Sequence, residues 1–257
     1  MNWGHRIGTI PMNDNEYHKR PEWSFSTLKN ILVNGIDWAV AYKRGDLPNE
    51  IPSNKYIDIG TFVHQELLGG DKDWVAKKYP NYLTKAAREW RDKQTKTILD
   101  EAQVEQIVNV SNAIKSHPNL KEVLANMETE KPIFAKVNGV ELRGKADIIQ
   151  KDKNGRPFRI WDIKTTAQFQ EWKYKCLRLH YDLQAAVYKT LYNGDVDFAF
   201  IIAETVAPYR VQLAYLTPEA WEKGESDLVR CLDAIKEFGD KEPNFSIMDE
   251  IKIGDWS

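Results

Sequence analysis

Two charged residues, Asp162 and Lys164, lie two positions apart in the largely apolar stretch FRIWDIKTTA, residues 158–167. Because side chains alternate along a β-strand, both would point to the same face of a sheet. Charged side chains are rarely fully buried unless they pair with each other or bind a metal ion. The stretch therefore predicts either an ion pair or part of a metal-dependent catalytic site.

A second carboxylate, that of Asp147, is predicted to lie beside Asp162. The Asn154-Gly155 pair is typical of a two-residue β-hairpin turn, and such a turn makes paired residue numbers sum to 309. Asp147 then lies opposite Asp162, with Cβ atoms roughly 4.5–5.5 Å apart. Pro157 has no amide hydrogen for the ladder, so a longer loop with a shifted register is the alternative.

Two carboxylates at this separation repel each other unless one is protonated or a cation lies between them. Oxygen ligands favour Mg²⁺, for which Mn²⁺ can substitute, and Mg²⁺ commonly binds protein carboxylates together with substrate phosphates. Such an ion promotes phosphodiester hydrolysis by stabilising charge on phosphoryl oxygens. An isolated Asp-x-Lys pattern, however, is very common and is more often a surface ion pair.

Four short motifs occur in a fixed order around these residues. They are Gly60-Thr61-Phe62-Val63-His64, Gly144-Lys145-Ala146-Asp147, Asp162-Ile163-Lys164-Thr165-Thr166 and Gln184-Ala185-Ala186-Val187-Tyr188. Together they resemble the signatures of the PD-(D/E)xK nuclease superfamily, in particular its RecB-like branch and the RecE-type (exodeoxyribonuclease VIII-like) phage and prophage exonucleases. The resemblance covers residues 24–192 and implies an α/β fold, a restriction-endonuclease-like core with a mixed central sheet flanked by helices.

The resemblance also implies which residues form the site. The metal ligands would be His64, Asp147, Asp162 and the carbonyl oxygen of Ile163. The catalytic residues would be Asp147, Asp162, Lys164 and Glu130, the last binding water or a second metal ion. The residues that contact DNA would be Gln184, Tyr188, Ser24 and Ser26.

Each assignment has a plainer structural alternative. His64 would otherwise be an ordinary packed histidine on an amphipathic helix, and Gln184 and Tyr188 would lie on an unremarkable helix surface. Ser24 or Ser26 would simply cap the helix that follows. The alternatives differ in which side chains meet, so a three-dimensional structure separates them.

The spacing of apolar residues predicts the elements that position the site. Helices are expected at 60–68, 84–115, 118–127, 178–192 and 218–238, with another beginning near Ser24 or Ser26, and strands at 132–137, 140–150, 157–165, 196–206 and 209–216. Residues 1–22 show no regular pattern. We interpret 1–257 as one nuclease domain: a mainly helical part over 1–127 that carries His64, the catalytic sheet with the Gln/Tyr helix over 128–216, and a C-terminal helix and tail over 217–257.

Composition restricts the class of protein. The chain of 257 residues is 42% hydrophobic and 29% charged, as in ordinary globular proteins. It has no apolar run long enough to span a membrane and no apolar leader, so we expect an intracellular protein. The resemblance implies the cytoplasm of a bacterial or phage-infected cell. The two cysteines, Cys176 and Cys231, cannot supply the four-cysteine iron–sulfur cluster of some RecB-like nucleases.

A net charge of −2 argues against DNA binding through overall positive charge and leaves local patches as the alternative. One such patch spans residues 71–96, where eight Lys/Arg outnumber four Asp/Glu and four aromatic residues are interleaved. It is either a nucleic-acid contact or a solvated helix face.

The resemblance implies a Mg²⁺-dependent exonuclease that acts 5′ to 3′ on double-stranded DNA ends and makes single-stranded DNA for phage-type recombination. It further implies a homo-oligomeric ring and a single-strand annealing protein as partner. Two alternatives remain: a non-catalytic scaffold of the same fold that binds DNA ends, and a structure- or sequence-specific endonuclease.

Overall fold

The computed structural model describes residues 5–10, 12–47, 59–69 and 72–245. Its helices are α1 Asp14–His18, α2 Phe25–Asn34, α3 Ile36–Arg44, α4 Ile59–Leu68, α5 Lys85–Asp92, α6 Glu101–Ser116, α7 Lys121–Ala125, α8 Trp172–Arg178, α9 Tyr181–Leu191 and α10 Pro218–Phe238. Its strands are β1 His5–Thr9, β2 Trp74–Ala76, β3 Thr97–Leu99, β4 Glu128–Thr129, β5 Pro132–Val137, β6 Val140–Lys145, β7 Ile148–Lys151, β8 Pro157–Thr166, β9 Asp197–Glu204 and β10 Val211–Tyr215.

The central sheet has five strands in the order β10-β9-β8-β7-β4. Strands β8 and β9 run parallel, and the other neighbouring pairs run antiparallel. Next to it, β1, β5 and β6 form a three-stranded antiparallel sheet, and β2 and β3 form a short parallel pair. This mixed sheet with helices around it is the α/β architecture that the sequence predicted.

Strand β8 lies between two hydrophobic cores because its side chains alternate between the faces of the sheet. Ile160 packs into a core that includes residues of α2, α9 and α10, whereas Trp161 and Ile163 pack into a core that includes residues of α4 and α6. Both of these latter side chains are almost completely buried. They hold the strand in a fixed orientation, and Asp162 therefore faces α9.

The hairpin between β7 and β8 has the predicted register, although the predicted two-residue turn is wrong. The ladder pairs that follow the predicted sum of 309 are Ile148 with Trp161, Ile149 with Ile160 and Gln150 with Arg159. The turn holds three residues, 153–155, closed by a hydrogen bond from the Gly155 N–H to the Asp152 carbonyl, and Gly155 has a φ of 77°. A register shift next to Lys151 offsets the extra loop residue, which is the geometry of a three-residue hairpin loop with a bulge.

The single strand predicted over 140–150 is wrong, because it is two strands in two sheets. Strand β6 pairs with β5 and strand β7 pairs with β8, and the chain passes from one sheet to the other just before Asp147. Gly144 permits close packing of α9 at this point, since a Cβ there would lie 2.5 Å from Leu191 Cδ1 and 3.0 Å from Tyr188 Cε1. Alternation of side chains does not show which sheet a strand joins, so the sequence pattern missed the crossing.

Two predicted helices are wrong in extent. The helix predicted over 84–115 is divided into α5 and α6 by strand β3, and Asp100 and Gln103 form a capping box at the start of α6. The helix predicted over 178–192 is also divided: α8 ends at Arg178, and α9 begins after His180, which has a left-handed φ of 54°. The spacing of apolar residues continues across both breaks and so does not reveal them. The first break is set by the capping box at the start of α6, and the second by the left-handed backbone of His180.

Other predicted elements agree more closely with the structure. Strand β5 and helix α10 have the predicted bounds, and β8, β9, β10 and α4 agree within two residues at each end. The first 22 residues were expected to be irregular, but they contain β1 and α1. The predicted tail beyond 245 lies outside the described residues. Within the described ranges, no helix combines the length and apolar character that a membrane span requires.

Candidate active site

Helix α4 places His64 beside strand β8. Its Nε2 is 2.9 Å from the carbonyl oxygen of Ile163, and its Nδ1 is 3.5 Å from Oδ2 of Asp147. When Nε2 carries the proton, it donates to the carbonyl and leaves the Nδ1 lone pair near Asp147. Metal-binding histidines commonly donate their second N–H to a carbonyl in this way. This geometry is compatible with a ligand histidine, and the ligand role of His64 stays a prediction.

Asp147 lies between β6 and β7, next to the neighbouring strand's Ile163. Its Oδ2 accepts a hydrogen bond from the Ile163 N–H at 2.7 Å. Burial and the negative charge of Asp162 raise the pKa of Asp147 to about 6, although His64 and the Ile163 N–H act in the opposite direction. The predicted electrostatic repulsion between the two aspartates is thus present in the fold, and a cation bound beside them would relieve it.

Asp162 is buried and makes two close side-chain contacts. Its Oδ2 is 2.6 Å from Nζ of Lys164, and its Oδ1 accepts a hydrogen bond from Nε2 of Gln184 at 2.7 Å. Burial lowers the pKa of Lys164, but nearby negative charge, chiefly that of Asp162, outweighs it and the net pKa is raised. Lys164 is therefore a cation at neutral pH and partly compensates the two carboxylates.

Glu130 lies just before strand β5 and is fixed through its backbone next to the two aspartates. Its N–H donates to the carbonyl of Ala146 at 3.0 Å, the residue before Asp147. Its carboxylate accepts from Nζ of Lys145 at 3.1 Å. The φ of Glu130 is 50°, a left-handed value that non-glycine residues adopt at some cost in energy. Its catalytic role stays a prediction.

A polar cavity of about 190 Å³ opens beside Asp162. All four residues predicted to contact DNA line it: Ser24, Ser26, Gln184 and Tyr188. Gln184 and Tyr188 are nearly fully buried there, so they do not lie on an exposed helix surface. Ser24 also caps helix α2, because its side chain accepts from the Thr27 N–H, while its Oγ is 3.2 Å from the Oγ of Ser26. The capping and phosphate-binding interpretations of Ser24 are therefore compatible.

The Tyr188 hydroxyl is already engaged within the protein. It donates a hydrogen bond to the carbonyl oxygen of Lys145 at 2.7 Å. Burial raises the pKa of Tyr188 well above its usual value, so the phenol is neutral. Only the acceptor lone pairs of this hydroxyl are left for a ligand, and a phosphate, itself an acceptor, fits Gln184, Ser24 and Ser26 better than Tyr188.

Arg143 lines the same cavity and was missed by the sequence analysis. Its guanidinium is buried, donates to the backbone carbonyls of Tyr17 and Glu22, and has no carboxylate partner among the described residues. A buried cation without an opposing charge favours an anion in the cavity. The sequence carries no distinct signal for it, because strand β6 also contains the charged residues Glu141 and Lys145.

Elsewhere, one group of three side chains has metal-ligand atoms that all lie within 4.8 Å of one another among the described residues: His180, Asp182 and Asp227. Lys223 Nζ, however, lies 2.7 Å from Asp182 and 2.6 Å from Asp227, and Arg230 lies 3.0 Å from Asp227. Two cations already neutralise the two carboxylates, so the group links α9 to α10 without needing a metal. The set His64, Asp147 and Asp162 is less compact, because Asp162 is turned toward Lys164 and Gln184.

The basic stretch over 71–96 is described from residue 72 and forms β2, α5 and the connecting loops. Its aromatic rings are largely engaged by neighbouring groups: Lys72 over Trp74 at 4.8 Å, Lys77 over Tyr82 at 5.2 Å, and Tyr79 against Trp90 at 6.0 Å. These cation–π and edge contacts within the protein account for the alternation of basic and aromatic residues without any contact to DNA. A nucleic-acid contact by this stretch stays a prediction.

A mixed sheet that carries two aspartates and a lysine at adjoining strands is the restriction-endonuclease-like fold, and it supports assignment to the nucleases. The chain belongs to the family described as a PDDEXK-like domain of unknown function (DUF3799), which it matches over residues 24–244. It is also similar to a solved structure from Eubacterium rectale designated "Putative exonuclease", with a TM-score of 0.60 and 14% identity over 95% of this chain and 97% of that chain. At this identity the likeness shows the fold alone. No curated protein gives a significant match.

Proposed function

We propose that this protein is a deoxyribonuclease that requires a divalent cation, with Mg²⁺ as the physiological ion and Mn²⁺ as a substitute. The observation that carries the proposal is the convergence of His64, Asp147, Asp162 and Lys164 around one residue, Ile163. Both carboxylates are largely buried, and burial together with the charge of Asp162 raises the pKa of Asp147. A purely structural site gains nothing from this repulsion, whereas a cation site uses it.

The donor set matches the chemistry of such an ion. His64, Asp147 and Asp162 would hold the cation, with the carbonyl oxygen of Ile163 as a further donor, and oxygen-rich sets of this kind suit Mg²⁺. When bound, the cation supplies Lewis-acid stabilisation of charge on the phosphoryl oxygens and lowers the pKa of water. Glu130 would bind water at the edge of the site.

The remaining polar groups act on the substrate phosphate. Lys164 keeps its proton at neutral pH, so its ammonium stabilises the negative charge that accumulates as the phosphodiester is attacked. Ser24, Ser26 and Gln184, together with Arg143, line the cavity next to Asp162 and would hold the adjoining phosphate by donating hydrogen bonds. Tyr188 fixes the end of β6 through its bond to Lys145.

We further propose exonucleolytic cleavage, 5′ to 3′ from double-stranded ends, in phage-type recombination. The resemblance to RecE-type exonucleases supports this choice, and the name of the Eubacterium rectale protein, "Putative exonuclease", supports only its exonucleolytic part. The same resemblance supports a homo-oligomeric ring and a single-strand annealing protein as partner. Light scattering of the purified protein tests the ring, with a monomeric mass at micromolar concentration as the contrary result.

Incubation with Mg²⁺ and either linear or closed circular duplex DNA separates the candidate functions. The proposal predicts degradation of linear duplex and no change in circles. Cleavage of circles would instead indicate the endonuclease, and retention of DNA ends without cleavage would indicate the scaffold. Strand-specific end labels then report polarity, with release of the 5′ label first as the expected result.

A further inference from the structure

Helix α8, the starts of α9 and α10 and strands β9 and β10 border a largely apolar pocket of about 750 Å³. Its aromatic lining comprises Phe169, Trp172, Tyr181 and Phe200, and we call it the aromatic pocket. Trp172 stacks on Tyr181 with ring centroids 5.5 Å apart, and Tyr181 lies 5.3 Å from Phe200. The volume falls in the range typical of small-molecule sites, roughly 300–1,000 Å³.

The aromatic pocket directly adjoins the candidate active site through Tyr181. The ring centroid of Tyr181 is 4.8 Å from Nζ of Lys164, so the same side chain lines the pocket and contacts the catalytic lysine. Phe200 is the ladder partner of Asp162 in strand β9. A ligand in the pocket would therefore lie next to a side chain that contacts Lys164.

One polar atom of the aromatic pocket has no partner. The indole Nε1 of Trp172 is buried and makes no hydrogen bond among the described residues, and the side chain is 7% exposed. An unpaired buried donor costs free energy, so it marks a place where a ligand acceptor would be favoured. A ring nitrogen or a carbonyl oxygen of a nucleobase supplies such an acceptor, whereas an aliphatic side chain does not.

One uncompensated cation of the aromatic pocket fits the phosphate of a nucleotide. Lys173 lines the pocket, is exposed and has no carboxylate partner among the described residues, whereas Lys223 is already paired with Asp182 and Asp227, and Glu219 adds a negative charge. Cys176 also lines it, and burial raises the pKa of its thiol to about 11, so the sulfur is a neutral apolar surface. Flat aromatic surfaces with a cation nearby are the features by which proteins hold unpaired bases.

We propose that the aromatic pocket binds the base of the nucleotide at the end of the strand being cleaved, and of the deoxynucleoside monophosphate released from it. This inference rests on the proposed nuclease function and adds a base-binding site to it. It predicts that DNA ends with a base are cleaved faster than ends with an abasic terminal residue, because stacking is lost in the latter.

Direct binding tests the aromatic pocket without any cleavage. Calorimetry in EDTA with deoxyadenosine 5′-monophosphate compares the wild type with Ala214→Trp, which fills the pocket from β10, and Ala102→Trp, a control on the exposed side of α6. The proposal is supported if the wild type and the control bind the nucleotide and Ala214→Trp binds it at least tenfold more weakly. The wild type should also bind deoxyribose 5-phosphate, which lacks the base, at least tenfold more weakly than the nucleotide. Equal binding to all three proteins, or no binding to the wild type, overturns it. Trp172→Phe, which removes only the N–H and part of the ring, replaces Ala214→Trp if that variant fails to fold, with weakened binding again the supporting result.

Cleavage of end-labelled duplexes with a normal or an abasic terminal nucleotide distinguishes this proposal from the nuclease proposal. At least fivefold faster cleavage of the normal end by the wild type, lost in Ala214→Trp, supports the base site. Equal cleavage of both ends contradicts the base site but leaves the nuclease intact. Failure to cleave either end contradicts the nuclease, and the calorimetry then decides the pocket separately. Binding of an apolar dye that Ala214→Trp abolishes, without nucleotide binding, would identify an apolar partner and overturn the proposal.

Discussion

The side-chain amide of Gln184 donates a hydrogen bond to the carboxylate of Asp162 over 2.7 Å and thereby joins helix α9 to strand β8. Both side chains are nearly fully buried. Because a carboxylate only accepts, the contact requires the NH₂ group of Gln184 to face Asp162. Gln184 therefore positions an acidic residue of the proposed metal site, in addition to lining the polar cavity beside Asp162.

Gln184→Ala should lower cleavage of linear duplex roughly 10–100-fold, the range observed when a partner that orients a metal ligand is lost. The half-saturating Mg²⁺ concentration should rise as well, which a role in DNA contact alone would not cause. The matched control is Gln103→Ala, which alters only the capping box of α6. An unchanged Mg²⁺ dependence in Gln184→Ala would refute the positioning role.

Asp147→Asn should stabilise the metal-free protein at pH 8. The folded-state pKa of Asp147 is raised from 3.8 to about 6, so between these values the folded state holds a proton that the unfolded state has lost. The stability of the wild type therefore falls as pH rises through this window, whereas the asparagine variant has no such loss. Melting in EDTA should give the variant the higher Tm at pH 8, and the difference should shrink by pH 4.

Addition of Mg²⁺ at pH 8 should reverse the order of the two proteins. The cation compensates the two carboxylates of the wild type and raises its Tm, whereas Asp147→Asn has lost a ligand. A Tm difference that is the same at pH 4 and pH 8, with or without Mg²⁺, would show that Asp147 carries no such repulsion.

Gly144→Ala should destabilise the fold by about 1–3 kcal/mol, as overpacking of a filled core does. The added Cβ would meet the buried side chains of Leu191 and Tyr188. Urea denaturation measures the loss. The double variant Gly144→Ala with Leu191→Ala provides the test of cause, because removing Leu191 makes room for the new methyl group. The two losses should be less than additive, and strict additivity would contradict the proposed contact.

Ser24→Ala and Ser26→Ala should differ in stability and agree in function. Ser24 caps α2, so its loss should cost about 0.5–2 kcal/mol in unfolding free energy. Ser26 is exposed and makes no cap, so its loss should leave the unfolding free energy nearly unchanged. Both variants should bind duplex ends more weakly in a fluorescence-anisotropy titration. Normal DNA binding by Ser26→Ala would refute the proposed contact between Ser26 and a DNA phosphate.

The sequence predicted the hairpin register through an argument that was partly wrong. The turn has three residues rather than two, and a register shift beside Lys151 offsets the difference. Register is set by which residues must face the core, and Trp161 and Ile163 determined it more strongly than the turn did. The ladder begins with Ile148 opposite Trp161, and Asp147, the residue before Ile148, accepts a hydrogen bond from the Ile163 N–H.

What the sequence could not reveal depends on contacts distant in the chain. Arg143 lines the cavity only because α1 and the segment before α2 supply the carbonyls that hold it. The break at His180 depends on a left-handed backbone conformation. The ion-paired group of Asp182 and Asp227 depends on the packing of α10 against α9. None of these leaves a periodic pattern in the sequence.

Degradation of a linear duplex by the wild type and by Asp162→Asn, at equal protein concentration with Mg²⁺, tests the central claim most directly. The asparagine keeps the size of the side chain and can still accept from Gln184, so circular dichroism should confirm an intact fold. We expect wild-type degradation that EDTA abolishes, and a loss of at least 10³-fold in the variant, the loss expected when the charge that helps to hold the cation is removed. Undiminished degradation by folded Asp162→Asn would contradict the account.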